Sequence, residues 1–238
     1  MSVGALALIP LLTGSQAINT HKFKLFYDVY GDATWSKLTG SANYQQVRYG
    51  LRQDDLDLYV YGRNESFDTS GSNLPVQFSG RGSEVGVGAR YWFMNRKLFV
   101  MATAGKSISG ANKDNSVYRV GIVGYDEISN GRFFTDMYGE YVYVNLADDA
   151  FLNLRVRPGI VLNKTKDGRL WAYGLGQLWM SGKGNNGTEN RIETGLGLGY
   201  VFGGMATVNF ELRVGYSFRG TITDKTYFNP ALVFAIGF

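Results

Sequence analysis

The 238-residue sequence contains no cysteine and a single histidine, His21. The first absence excludes a disulfide framework, a thiolate metal site and a cysteine nucleophile. The second leaves little scope for imidazole chemistry, whether as a metal ligand or as an acid–base relay. No run of eighteen apolar residues occurs, so the sequence encodes no transmembrane helix. Proline is scarce at 4, and the net charge is only +4 with no Lys/Arg run, which argues against a nucleic-acid partner. Glycine, at 32, and tyrosine and phenylalanine, at 16 and 15, are plentiful instead. That is the composition of many strands with aromatic ends.

From Phe23 onward apolar residues recur at every second position, the spacing that sends alternate side chains to opposite faces of a strand. Phe23, Leu25, Tyr27 and Val29 form one such set. Val47, Tyr49 and Leu51 follow, then Leu56, Leu58 and Val60, then Val85, Val87, Tyr91 and Phe93. The clearest run is Ala206, Val208, Phe210, Leu212, Val214, Tyr216 and Phe218, which opposes Thr207, Asn209, Glu211, Arg213, Gly215 and Ser217. Between Leu170 and Met180 the two faces compete and no facing is assigned. Pro158 removes a ladder donor, so a bulge is expected there. The count is about twelve strands of roughly ten residues, the length a tilted strand needs to cross a bilayer. Connections alternate between longer polar segments, such as 64–81 and 182–190, and shorter ones, such as 52–54 and 94–97. Aromatics fall at both ends of the oily face: Phe23, Phe93, Phe133, Phe202 and Phe238 at one, Tyr141, Tyr143, Tyr216, Phe218 and Phe228 at the other. A soluble sandwich has no reason to sort aromatics by strand direction.

The final stretch, Tyr227 to Phe238, puts Phe228, Leu232, Phe234, Ile236 and Phe238 on one face and small residues on the other. It resembles the last strand of bacterial outer-membrane β-barrels. That resemblance implies an all-β fold, a transmembrane antiparallel up-and-down barrel of about 12 strands in the outer membrane. It also implies that Phe234, Ile236 and Phe238 form the signal read by the barrel-assembly machinery, with outer-membrane lipids and lipopolysaccharide against the oily face. Residues 86–93 (Gly-Val-Gly-Ala-Arg-Tyr-Trp-Phe), 134–140 and 155–159 are faintly similar to the barrels that end exopolysaccharide-secretion and phage-adsorption outer-membrane proteins, which implies a periplasmic export partner. Twelve-stranded acidic-oligosaccharide porins are similar in size and in lumenal arginine. Residues 21–238 are expected to form one barrel. Residues 1–20 read as a signal-like, linker or plug segment.

In a membrane barrel the polar face looks into the lumen. Here it carries Arg48, Arg63, Arg90, Arg119, Arg155, Arg157 and Arg213 against Glu84, Asp136, Glu140, Glu193 and Glu211, with Lys24, Asp28 and Asp57. The near balance of signs suits a cross-strand network of ion pairs. It equally suits an arginine-lined track for an anionic or saccharide substrate. Glycines at 195, 197 and 199, with Gly86 and Gly88, leave the inner wall bare for inward Tyr and Arg or for an N-terminal plug. They obey the strand period and no helix follows, so they are not a nucleotide-binding loop. Asp136 and Glu140 share one face, but pairing with arginine is favoured over acid–base work on sugars. No enzyme activity and no cofactor is expected. Two readings stand: a narrow pore or export exit for polar solutes, or a non-conducting structural barrel or surface receptor acting through its outer loops.

Overall fold

The computed structural model describes residues 23–36, 40–68, 80–110, 113–144, 149–182, 190–203, 205–219 and 226–237. Twelve strands run through them: β1 (Lys24–Ser36), β2 (Gly40–Gln53), β3 (Leu56–Asp68), β4 (Gly80–Phe93), β5 (Leu98–Ser109), β6 (Ser116–Ile128), β7 (Phe133–Val144), β8 (Asp149–Lys164), β9 (Gly168–Ser181), β10 (Asn190–Phe202), β11 (Ala206–Arg219) and β12 (Thr226–Gly237). Each pairs antiparallel with its neighbours in sequence, and β12 pairs with β1 to close the ring. The seam holds seven registered pairs, from Asp28↔Gly237 to Thr34↔Ala231. Phe234 lies across Gly31 there, where a Cβ would overlap its ring.

The distribution of polarity is the reverse of a soluble protein's. Leu196 is 73% exposed and Val87 59%, whereas Asp57 and Glu211 are fully enclosed at 0%. Hydrocarbon rather than water is the solvent that makes this arrangement stable, because apolar side chains then meet lipid and charges are sequestered inside. Strands of 12 to 16 residues, at about 3.3 Å per residue and tilted, are long enough to cross a hydrocarbon core about 30 Å thick. Phe93, Phe133 and Phe202 are exposed on the outer face at one end, and Tyr141, Tyr216, Phe218 and Phe228 at the other. This is the girdled, closed architecture of a bacterial outer-membrane β-barrel.

The turns at Asp54–Asp55, 94–97, 129–132 and 165–167 lie at one end, where Met205 N also bonds to Phe202 O. Met94, Asn95 and Arg96 take successive left-handed conformations, with φ of 50°, 56° and 66°. At the opposite end the strands project further than the sequence pattern suggests, because β3 continues to Asp68 and β5 to Ser109. Two other expectations change. No register shift occurs at Pro158; Val156↔Gly176 and Gly159↔Tyr173 keep one offset, and the irregularity falls between Val161 and Asn163. One missing donor is too little to dislodge a strand held on both sides, since Pro158 remains in register with Thr135 of β7. In β9 the faces resolve with Trp171, Tyr173, Leu175 and Gln177 buried inward and Leu170 and Met180 outward. His21 and residues 1–20 lie outside the described residues, as does Phe238.

The lipid-facing assignment has a direct test. Val87 sits midway along β4 on the outer face. Val87→Arg is expected to lower the unfolding free energy in lipid vesicles by about 2–4 kcal/mol, read from reversible denaturant titration. A loss under about half a kcal/mol, the usual range for a solvated surface site, would place Val87 against water.

Candidate functional site

The candidate site is the lumen, and its wall is built from a repeated three-strand row. Tyr173 of β9 stands opposite Gly197 of β10, which stands opposite Glu211 of β11. A Cβ at Gly197 would overlap the Tyr173 ring, so the glycine lets the ring lie down on the wall. Lying there, the Tyr173 hydroxyl donates to Glu211 Oε1 at 2.8 Å. The same row runs the other way from Tyr227 over Gly215 to Glu193, with the hydroxyl donating at 2.8 Å. A third joins Trp171 over Gly199 to Asn209, the indole N–H donating at 2.9 Å. Tyr59 and Tyr61 lie similarly on Gly88 and Gly86. Of the glycine stripe, Gly86, Gly88, Gly197 and Gly199 are thus covered by aromatic rings from adjoining strands, whereas Gly195 lies against the backbone of Leu212 and Arg213.

Three groups of ion pairs fill the space between the rings. Near the tight turns, Asp57 accepts from Arg52 Nε at 2.7 Å, Arg90 Nε at 2.5 Å and Trp92 Nε1 at 2.8 Å. Arg90 continues to Asp28 at 2.8 Å, which faces Arg48 at 3.7 Å. In the second group Glu84 holds Arg119, with Nη2 to Oε2 at 2.6 Å, and accepts the Tyr61 hydroxyl; Arg119 also faces Glu140 at 3.8 Å. In the third, Glu211 takes Arg157 Nη2 at 2.6 Å and Arg213 Nε at 2.7 Å. Arg213 reaches Glu193 at 3.4 Å and Asp32 at 3.9 Å, and Arg157 reaches Asp136 at 3.1 Å. Each enclosed carboxylate meets at least one guanidinium and further donors, the condition under which confined charge is tolerable.

Arg155 is different. Its Nη1 donates to the Tyr30 hydroxyl at 3.3 Å, and its guanidinium sits 5.5 Å from the Tyr138 ring centroid. No carboxylate of the described residues lies within ion-pair distance of it. Tyr30 belongs to β1 and Arg155 to β8, and four strands separate them around the shorter arc of the ring. The contact therefore crosses the lumen rather than following the wall.

Of the residues singled out by sequence, Arg48, Arg63, Arg90, Arg119, Arg155, Arg157, Arg213, Glu84, Asp136, Glu140, Glu193 and Glu211 all project inward. The network gathers most of them. Arg63 pairs separately with Glu65 and stacks 4.4 Å over Tyr44. Phe234 and Ile236 lie on β12 near the tight-turn end. Asp136 and Glu140 face Arg157 and Arg119 respectively, so neither is a free acid–base group. The sequence pattern expects inward tyrosines over the glycines without naming them, and places Asn209 on the inner face without a role. It does not single out Gln177, Asn229, Arg52 and Arg191: the first two are uncharged, Arg52 reads as part of the turn 52–54, and Arg191 lies at the edge of the polar segment 182–190. Among the described residues no group of three or more His, Cys, Asp or Glu is placed to hold a metal ion.

No family model and no curated protein matches the sequence. Solved structures do match in fold. The β domain of the Bordetella autotransporter BrkA aligns over 90% of this chain and 99% of its own, with 9% identity and a TM-score of 0.51. LpxR from Salmonella typhimurium aligns over 87% and 99%, with 9% identity and a TM-score of 0.53. An outer membrane channel from Pseudomonas putida F1 aligns over 90% and 95%, with 11% identity and a TM-score of 0.51. At these identities the likeness is one of fold.

The third ion-pair group generates a prediction. Glu211→Ala removes the fully enclosed carboxylate that Arg157 and Arg213 share and is expected to cost about 3–5 kcal/mol of stability, measured by unfolding in vesicles. Asp136 is 28% exposed at its side chain, and Asp136→Ala should cost clearly less. Equal losses would show that the lumen is wet enough to screen both.

Proposed function

We propose that the chain is a narrow channel through the outer membrane for polar solutes, with anionic solutes, including saccharides that carry a negative charge, favoured. The observation that supports this reading is Arg155, a lumenal guanidinium that no described carboxylate meets at ion-pair distance. In a confined polar passage a cation without a direct carboxylate partner favours anions over cations in its neighbourhood. Its one hydrogen bond, at 3.3 Å, goes to the neutral Tyr30 hydroxyl across the lumen. An anionic acceptor adds a second charge to the contact and shortens it, so a passing anion competes for the guanidinium effectively. Inward aromatic rings beside arginines suit sugar rings bearing acidic groups. The reading is non-enzymatic. It includes assembly-machinery recognition of Phe234, Ile236 and Phe238, lipids and lipopolysaccharide around the apolar belt, and passive uptake or the exit of an export system as the physiological direction.

The enclosure of Asp57, Glu193 and Glu211, at 0%, 1% and 0% exposure, favours a second reading. Here the networks close the lumen and the barrel is a structural element or surface receptor that works through its outer loops.

Planar-bilayer recording separates the two. The channel reading expects steady current with anion preference. Arg155→Glu changes the lumenal charge by two and should abolish or reverse that preference, as read from the reversal potential in a salt gradient. Silence from protein that shows an intact heat-modifiable fold would sink the channel and leave the closed barrel.

A further inference from the structure

The inner wall of β8, β9 and β10 carries a patch that the ion-pair networks leave unused. Register places Arg155 opposite Gln177, and Trp179 opposite both Asn153 and Arg191. Gln177 is 6% exposed; its Nε2 donates to Asn153 Oδ1 at 3.1 Å, and its Oε1 has no partner. The Trp179 indole N–H has none either. Arg155 has an unpartnered Nε as well as the single long bond to Tyr30. Arg191 lies 5.1 Å over the Trp179 ring, with its Nε 3.5 Å from Glu193 Oε1 and no hydrogen bond formed there.

Native interiors leave few buried polar groups unmet, and those that remain call for an explanation. Elsewhere in the lumen the unmet arginine Nε atoms, of Arg48, Arg63, Arg119 and Arg157, belong to guanidiniums already paired with a carboxylate. Among the described residues, β8 to β10 set a guanidinium without a carboxylate partner, a free indole N–H and a free amide oxygen at adjoining positions of the inner wall. The first two ask for an oxyanion and the third asks for a hydroxyl donor.

We propose that the β8–β10 wall around Arg155, Gln177 and Trp179 is a binding subsite for a small hydroxy-carboxylate of the sugar-acid type. The carboxylate accepts from the Arg155 fork and from the Trp179 N–H, and a neighbouring ligand hydroxyl donates to Gln177 Oε1. A charged acceptor outcompetes a neutral hydroxyl, so binding draws Arg155 away from Tyr30 and breaks that contact across the lumen. The channel reading explains how the ligand arrives. Binding itself does not depend on conduction.

Titration calorimetry on the full chain in detergent micelles tests this with sodium glucuronate, glucose and inorganic phosphate. Glucuronate is expected to bind saturably, and glucose is not. Loss of a charge-assisted contact in Arg155→Gln should weaken binding more than about tenfold. Gln177→Ala and Trp179→Phe should weaken it by smaller factors, and Tyr30→Phe, which removes the competing hydroxyl, should strengthen it. A structural role alone would not make Tyr30→Phe bind more tightly. No binding by the wild type, or equal binding by Arg155→Gln, overturns the subsite. Phosphate binding as tight as glucuronate, indifferent to Gln177→Ala, overturns the hydroxy-carboxylate assignment. If Arg155→Gln does not fold, Gln177→Ala and Trp179→Phe decide: unchanged affinity in both overturns the proposal. A conducting barrel without glucuronate binding removes the subsite alone, and a binding barrel without conductance removes the channel reading alone.

Discussion

Everything in this barrel follows from the closure of its backbone hydrogen-bond ladder. In hydrocarbon no water is available to an unpaired N–H or C=O, and each such group costs several kcal/mol. A sheet of twelve strands in that medium must therefore join its first strand to its last, as β1 and β12 do. Closure creates an inside and an outside, and the pleat then sorts every residue between them. The outer set has to be apolar. Only the inner set is left to hold charge, so the arginines and carboxylates of the whole molecule converge on a narrow space.

Convergence would be unfavourable were the charges not held apart and matched. The aromatic–glycine–acceptor rows serve this purpose on β9 to β12. Without a side chain at Gly197 or Gly215 the tyrosine ring rests on the wall, and its hydroxyl reaches the glutamate one strand further on. The ring supplies packing and the hydroxyl fixes the carboxylate, leaving that carboxylate's other lone pairs to arginine. Glu193 and Glu211 are thereby each held by a tyrosine and share Arg213. The acids of this wall are thus each fixed by a neutral donor as well as by a guanidinium.

Parity was legible from the sequence, and register was not. The alternation from Ala206 to Phe218 shows which residues face outward, because lipid tolerates no charge there and the signal is unmixed. In β9 the inner face is itself aromatic, with Trp171 and Tyr173, so hydropathy cannot tell the lumen from the lipid. The glycines at 195, 197 and 199 are visible as a stripe, yet their coverings depend on the offset between β9 and β10. The same holds for Pro158, whose effect depends on how firmly β7 and β9 hold the strand. Arg155 meeting Tyr30 requires knowing that two strands distant in the ring face one another across the lumen. No local pattern carries that.

The contrast among the lumenal arginines then has a functional consequence. An arginine such as Arg213, held by Glu211 and Glu193, can contact a solute only by loosening partners that are themselves buried, and the exchange offsets much of what the solute offers. Arg155 gives up one long bond to a neutral hydroxyl. In the proposed channel an anion therefore displaces least at Arg155, although several guanidiniums are near. On the channel reading, selectivity is set less by the number of arginines than by which of them the fold leaves without a carboxylate at ion-pair distance.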